Sequence, residues 1–177
     1  MALLLAACSS SDPEAATPTT GRSTSTAPTT TAVTVPEREP STTTTAFDPA
    51  SVEGQVEAAY LKSWDVYADA VYDLHLDESA LATVYAGEAL ALRAAEIERR
   101  IDERSSSLVK LDHGYQIAVS GSSTANVVDE FVNHQVLIDP RSKEPIEADP
   151  NERLLVNFRM ELVEGSWRVT FIQKVST

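Results

Sequence analysis

The segment LLVNFRMELVEGSWRVTFIQKV, residues 154–175, decides the fold. Gly165 supplies the positive φ that a two-residue hairpin turn requires, so Glu164-Gly165 is the turn and the flanking runs are antiparallel strands. Counting outward, Leu162 faces Trp167, Met160 faces Val169, Phe158 faces Phe171, Val156 faces Gln173 and Leu154 faces Val175, which makes one face almost wholly apolar. The other face pairs Glu161 with Arg168 and Arg159 with Thr170, matches that a one-residue slip would destroy.

Upstream of the hairpin the period is also two. Residues 127–139 read as one long strand, in which Val132, Val136 and Ile138 share a face with Glu130 and His134, opposite Asp129, Phe131, Asn133, Gln135 and Leu137. An earlier strand runs from about residue 108 to Ser120 and ends at Gly121-Ser122-Ser123. Before Leu108 the period is helical. Asp48-Pro49 reads as N-cap and first helical residue, and Val52, Val56, Tyr60, Trp64, Tyr67, Val71 and Leu74 recur every three or four residues. A second helical region follows Asp77-Glu78-Ser79. Gly87 separates it from a third helix carrying Leu90, Leu92, Ile97 and Ile101, whose mixed-charge end at 96–104 reads as a solvated face and stops at Ser105-Ser106-Ser107. Helices first and antiparallel strands last predict an α+β domain with the helices packed on one face of a curved sheet.

That order, the Trp64-bearing first helix, the Gly87-x-Ala89-Leu90 start of the third helix and the terminal Glu164-Gly165-Ser166-Trp167-Arg168-Val169 hairpin resemble the nuclear transport factor 2-like superfamily over most of residues 50–176. The resemblance implies a cone-like sheet wrapped on helices, whose cavity is an active site in some families and is filled or used for protein contacts in others. No β-hairpin is recognisable between the helices, where the enzyme families carry one, and fold likeness does not fix function.

The remaining sequence is an address. Leu5-Ala6-Ala7-Cys8 resembles the lipobox of bacterial lipoproteins, in which the cysteine is acylated and becomes the first residue of the mature protein. Cys8 is the single cysteine of the chain, and Met1 to Ala7 is too short an apolar run to span a bilayer. No Lys or Arg precedes it as a secretory signal requires, so the expectation is an internal start at Met1. Residues 9–46 contain 24 Ser, Thr or Pro in 38 positions, with Val33 and Val35 as the sizeable apolar side chains. Such a segment is expected to stay disordered, as a tether reaching about 120 Å fully extended and about 35 Å as a coil. Its style is that of high-GC Gram-positive (actinobacterial) envelope lipoproteins, and its Thr runs are open to O-glycosylation.

Of 177 residues, 27 are Asp or Glu and 14 Lys or Arg, a net charge of -13. That balance disfavours nucleic acid as a partner and electrostatic docking on anionic lipid, both of which need clustered Lys and Arg. The lone cysteine excludes an internal disulfide and a cysteine metal cluster. The three histidines, His75, His113 and His134, lack zinc spacing, and the acidic, proline-rich loop 139–152 lacks the spacing of a calcium loop. No phosphate-cradling glycine loop or serine elbow is present, so no cofactor is expected.

An isomerase or small dehydratase in such a cone would need an Asp or Glu base, or an Asp-His pair, inside it. Glu130 and His134 are the inward candidates, because they share a face with Val132 and Val136. Four residues of strand separate them by about 13 Å, so a site would require partners such as Tyr60, Trp64 or Tyr67. The plainer reading makes His134 a satisfied rim histidine, Glu130 a solvated carboxylate and the aromatic stripe core. Tyr60, Trp64, Tyr67, Glu130 and His134 are therefore the expected pocket lining, and Cys8 the expected lipidation site. The leading expectation is a non-catalytic lipoprotein at the extracytoplasmic face of the cell membrane. Its acidic domain would bind an envelope protein or a small apolar ligand. The alternative is a cavity-based enzyme or lipid-binding module.

Overall fold

The computed structural model describes residues 47–175; Cys8, the 9–46 segment and residues 176–177 lie outside the described residues. The long helix α1 (Val52–Asp73) starts three residues later than the Asp48-Pro49 signal predicts. Ser51 is its cap, with Oγ accepting the Gly54 N–H at 3.0 Å, while Asp48 accepts from the backbone of Ala50 and Ser51 to close a separate turn. That turn lies against the helix. A Cβ on Gly54 would stand 2.1 Å from the Asp48 carbonyl oxygen, so only glycine lets the two backbones meet. Two shorter helices follow, α2 (Glu78–Ala82) capped by Asp77 and α3 (Gly87–Glu103).

The predicted strand at 108–120 is three pieces, β1 (Ser106–Leu108), β2 (Leu111–Asp112) and β3 (Tyr115–Ser120). The predicted long strand at 127–139 is two, β4 (Thr124–Asn133) and β5 (Val136–Ile138). Then come β6 (Glu152–Val163) and β7 (Ser166–Lys174). The main antiparallel sheet runs β2-β4-β6-β7, with β3 also on β4, whereas β5 leaves it to pair with β1. The expected α+β arrangement holds: Val56, Tyr60, Tyr67 and Val71 of α1 share one core with Val127, Phe158, Met160 and Val169 of the sheet. The β7 edge is covered in part, since Val169 exchanges backbone hydrogen bonds with Val84 and Ala86 between α2 and α3.

Two corrections of register decide which side chains meet. Near the Glu164-Gly165 turn, where both residues have positive φ, the predicted ladder is present, with Leu162 on Trp167, Glu161 on Arg168 and Met160 on Val169. A β-bulge between Arg159 and Met160 then shifts the partner by one, so that Arg159 faces Phe171, Phe158 faces Ile172 and Val156 faces Lys174. The predicted pairs Phe158 with Phe171, Arg159 with Thr170, Val156 with Gln173 and Leu154 with Val175 do not form, because hairpin counting assumes an unbroken ladder. Phe171 stands instead on the outer face, its ring centroid 5.7 Å from the Arg159 guanidinium carbon.

The second correction concerns β4. Its buried residues are Ala125, Val127, Asp129 and Phe131, and Glu130 is exposed. The expectation placed the opposite set inward by carrying the parity of Val136 and Ile138 back along one continuous strand. The chain breaks at His134-Gln135 and changes sheet there, so that parity belongs to β5 and says nothing about β4.

The bulged register makes a prediction for urea unfolding. Phe158→Ala should cost about 3–5 kcal/mol as a core truncation, and Phe171→Ala about 1 kcal/mol, the scale of an exposed cation–π contact. Equal losses would mean an unbulged ladder with both rings in the core.

Candidate functional site

Two polar clusters sit among the aromatic residues between α1, α3 and the sheet. The inner one is built on Asp129. Its Oδ2 accepts from the Tyr60 hydroxyl at 2.6 Å and from His113 Nδ1 at 2.5 Å, and its Oδ1 accepts the Gly114 N–H at 2.9 Å. The three donors come from α1 and the β2–β3 connection, and Asp129 and Tyr60 are both wholly buried. Burial, then the charge of Asp129, raises the Tyr60 hydroxyl well above its ordinary pKa, which keeps it a donor at any physiological pH. The rings of Trp64, Tyr115, Phe131 and Phe158 pack around Tyr60 or His113 at centroid distances of 5.0–6.4 Å. This is an Asp-His pair of the kind an acid–base enzyme needs, buried with side chains 0% and 2% exposed.

The outer cluster opens on a cavity of about 350 Å³, of a size with small-molecule sites. Its apolar wall is Trp64, Tyr67, Phe131, Leu154, Phe158 and Ile172. Arg93 of α3 enters this wall with its side chain 9% exposed and its guanidinium carbon 4.2 Å from the Tyr67 ring centroid and 5.0 Å from that of Trp64. Its Nη1 donates to Glu96 Oε2 at 2.7 Å, the Tyr67 hydroxyl donates to Glu96 Oε1 at 2.6 Å, and Arg100 Nε lies 3.8 Å from the same oxygen. Burial works against the Glu96 charge, yet Arg93 and the Tyr67 hydroxyl overcome it and hold the carboxyl below its ordinary range.

Of the expected lining residues, the structure brings Trp64 and Tyr67 to the cavity. Tyr60 lies beneath it, in the Asp129 cluster. Glu130 is on the far face of the sheet, ion-paired with Arg153 at 2.7 Å, for the parity reason given above. His134 is at the end of β4, outside the cavity wall, with Nδ1 at 2.7 Å from Asp149 and Nε2 at 3.2 Å from Asp112. Both partners are carboxylates, which only accept, so both contacts are hydrogen bonds at once only when the ring is protonated. The Asp149 hydrogen bond is the main cause that holds its pKa above the ordinary histidine value; slight desolvation opposes it and Asp112 adds to it. His75 is exposed at the end of α1. Sequence reasoning did not single out Asp129, Arg93 or Glu96. A usable signal existed for Arg93: it continues the buried helical row Ala89, Arg93, Ile97, so it occupies a core position.

Loop 139–152 is tied to the domain by its own residues. Asp139 Oδ1 accepts the N–H groups of Arg141 and Ser142, and Lys143 Nζ donates to the Tyr72 carbonyl while standing 4.2 Å from that ring's centroid. Among the described residues no three His, Cys, Asp or Glu side chains are grouped to hold a metal ion.

No family model matches the chain. No curated protein matches it either. Solved structures do. The intermembrane space region of chloroplast protein ARC6 superposes with a TM-score of 0.57 at 15% identity, over 73% of this chain and all of that one. An NTF2-like protein of unknown function from Shewanella oneidensis gives 0.44 at 13% identity, over 68% and 98%. A hexachlorocyclohexane dehydrochlorinase, LinA-type3, from Novosphingobium barchaimii gives 0.42 at 10%, over 68% and 90%. NTF2-like proteins therefore occur among the matches, but at scores that carry no inference about activity. The ARC6 likeness extends to the fold alone.

Two predictions follow from the clusters. Tyr60→Phe should lower unfolding free energy by about 1.5–3 kcal/mol, a hydrogen bond to a carboxylate, and Asp129→Ala by about 3–5 kcal/mol, the cost of opening a buried charged network. An unchanged urea midpoint for Tyr60→Phe would contradict the network. His134, raised in the folded state, contributes stability that is complete below its unfolded pKa of about 6.5 and disappears as pH rises through the higher folded value. Its NMR titration should have a midpoint above the ordinary histidine value of about 6.5, and Asp149→Asn should move it down; a midpoint at or below that ordinary value would exclude the double bridge.

Proposed function

We propose that the α+β domain is a non-catalytic binding module that takes a small, predominantly apolar molecule into the cavity between α1, α3 and the sheet. Lipid attached at Cys8 would hold it at the extracytoplasmic face of the cell membrane, on the 9–46 tether. The observation that carries the binding reading is the separation of the two clusters. The aromatic wall lines open space, while the Asp129–His113 pair, which an enzyme of isomerase or dehydratase type would have to present to substrate, is buried, with the two side chains 0% and 2% exposed. The other Asp-His contact, at His134, lies in solvent and outside the cavity wall.

The support for the anchor is separate and comes from the Leu5-Ala6-Ala7-Cys8 motif and the Ser/Thr/Pro-rich segment behind it. Two lipid chains on one cysteine suffice physically, since each buried methylene contributes about 0.8 kcal/mol.

Native mass spectrometry of the full protein from its own organism tests the binding reading. A retained small molecule is expected in the wild type and should be lost in Leu154→Trp, which fills the cavity; a stoichiometric envelope protein in its place would favour a scaffold instead. Palmitate labelling should depend on Cys8, and a free Cys8 thiol in the mature protein would rule out the anchor.

A further inference from the structure

Residues 147–151 join Ile146, whose N–H bonds the Leu137 carbonyl, to Glu152, the first residue of β6. All five are exposed. Among the described residues a single hydrogen bond ties them to another element, between His134 Nδ1 and Asp149 Oδ2 at 2.7 Å. The other oxygen of Asp149 accepts the Asn151 N–H at 2.9 Å and closes the turn through Pro150. One carboxylate thus shapes this turn and fastens it.

His134 stands where β4 ends, and its Nε2 lies 3.2 Å from Asp112 Oδ2 on β2. The backbone on either side of the ring is held, since the His134 N–H bonds the Lys110 carbonyl and the Gln135 N–H bonds Asn133 Oδ1. The charged groups beside the ring are Asp112 from β2, Asp149 from the loop, and Lys110 from the β1–β2 connection, whose charge acts on Asp149. On β6, Arg153 and Glu152 pair with Val132 and Asn133 in the ladder, and each has its own ion-pair partner, Glu130 and Lys174. Of these residue types only histidine has an ordinary pKa between 5.5 and 8.5.

A carboxylate only accepts, so two of them on one ring require a proton on each nitrogen. A neutral imidazole has one N–H. Whichever carboxylate it serves, the other faces a bare lone pair, and the bond that remains has lost its charge assistance. We propose that His134 is a protonation latch, which holds residues 147–151 to the domain when both ring nitrogens carry hydrogen and loosens them when one is lost. Because the bridged ring keeps its proton above the ordinary value of about 6.5, the latch is closed at pH 5.5 and loosens as pH rises through that higher value. Leu111 precedes Asp112 in the chain, Asn133 and Gln135 flank His134, and all three line the cavity, so the bridge sits beside that wall.

A nitroxide label on Ala148→Cys, in the full chain carrying Cys8→Ser, reads the mobility of the segment by electron paramagnetic resonance. Ala148 is exposed, so the label leaves the core undisturbed. The ratio of immobile to mobile label should fall about two- to fivefold between pH 5.5 and 8.5, the scale of exposed ion pairs. His134→Ala should leave the label mobile at both values. Asp112→Asn, at a side chain 64% exposed, should shrink the fall, because an amide can donate to the nitrogen that a neutral ring leaves bare. A ratio that stays constant with pH, a fall that persists in His134→Ala, or one undiminished in Asp112→Asn overturns the latch.

Discussion

The burial of the Asp129 carboxylate constrains the rest of the domain. A carboxylate removed from water is costly unless each lone pair it presents meets a donor, and here three donors meet it, two of them side chains that are themselves buried. Tyr60 belongs to the third turn of α1, His113 and Gly114 to the connection between β2 and β3, and Asp129 to the middle of β4. Sliding α1 along the sheet by one turn, or shifting β4 by one residue, would strand the charge. Apolar packing of Val56, Val71, Phe158 and Met160 drives the helices onto the sheet, but such packing is tolerant of small displacements. The network is not, and it fixes which displacement is native.

The same reasoning separates the two clusters by role. Around Asp129 the donors and acceptors close on one another and the aromatic rings shut out water, so the chemistry of the pair is confined to structure. Around Arg93 one carboxylate and the rings of Trp64, Tyr67 and Tyr85 answer the charge, and its Nε–H is buried with no acceptor among the described residues. A helix that places an arginine in its buried row, beside a cavity, gives up some intrinsic stability at that position. The return is a charged group held beside the aromatic part of the cavity wall.

Much of this was legible in the sequence where the signal is local. The Glu164-Gly165 turn, the short helix opening at Asp77-Glu78-Ser79 and the helical stripe through Tyr60, Trp64 and Tyr67 each depend on neighbouring residues, and each is where the residues put it. What failed needed information carried by distant parts of the chain. The bulge at Arg159-Met160 leaves no mark in the alternation of residues 154–163, and it moved Phe171 from core to surface. The inward face of β4 was assigned from Val136 and Ile138, which pair with a different sheet. Asp129 was hidden because an aspartate between Val127 and Phe131 reads as solvent-facing until His113, sixteen residues earlier, and Tyr60, on a helix, are brought beside it.

The first described residue has a mechanical consequence. The N–H of Phe47 bonds Oε2 of Glu57 at 3.3 Å, the Tyr115 hydroxyl bonds the other oxygen of that carboxylate, and Tyr115 pairs with Asp129 in the ladder between β3 and β4. A pull on the chain ahead of residue 47 thus meets α1 and β3 together, not the helix alone. Peeling of the first helical turns would stop at Glu57, and one turn further on it would meet Tyr60. Load entering from the N-terminal side is passed through Glu57 and Tyr115 to the strand that carries the buried Asp129.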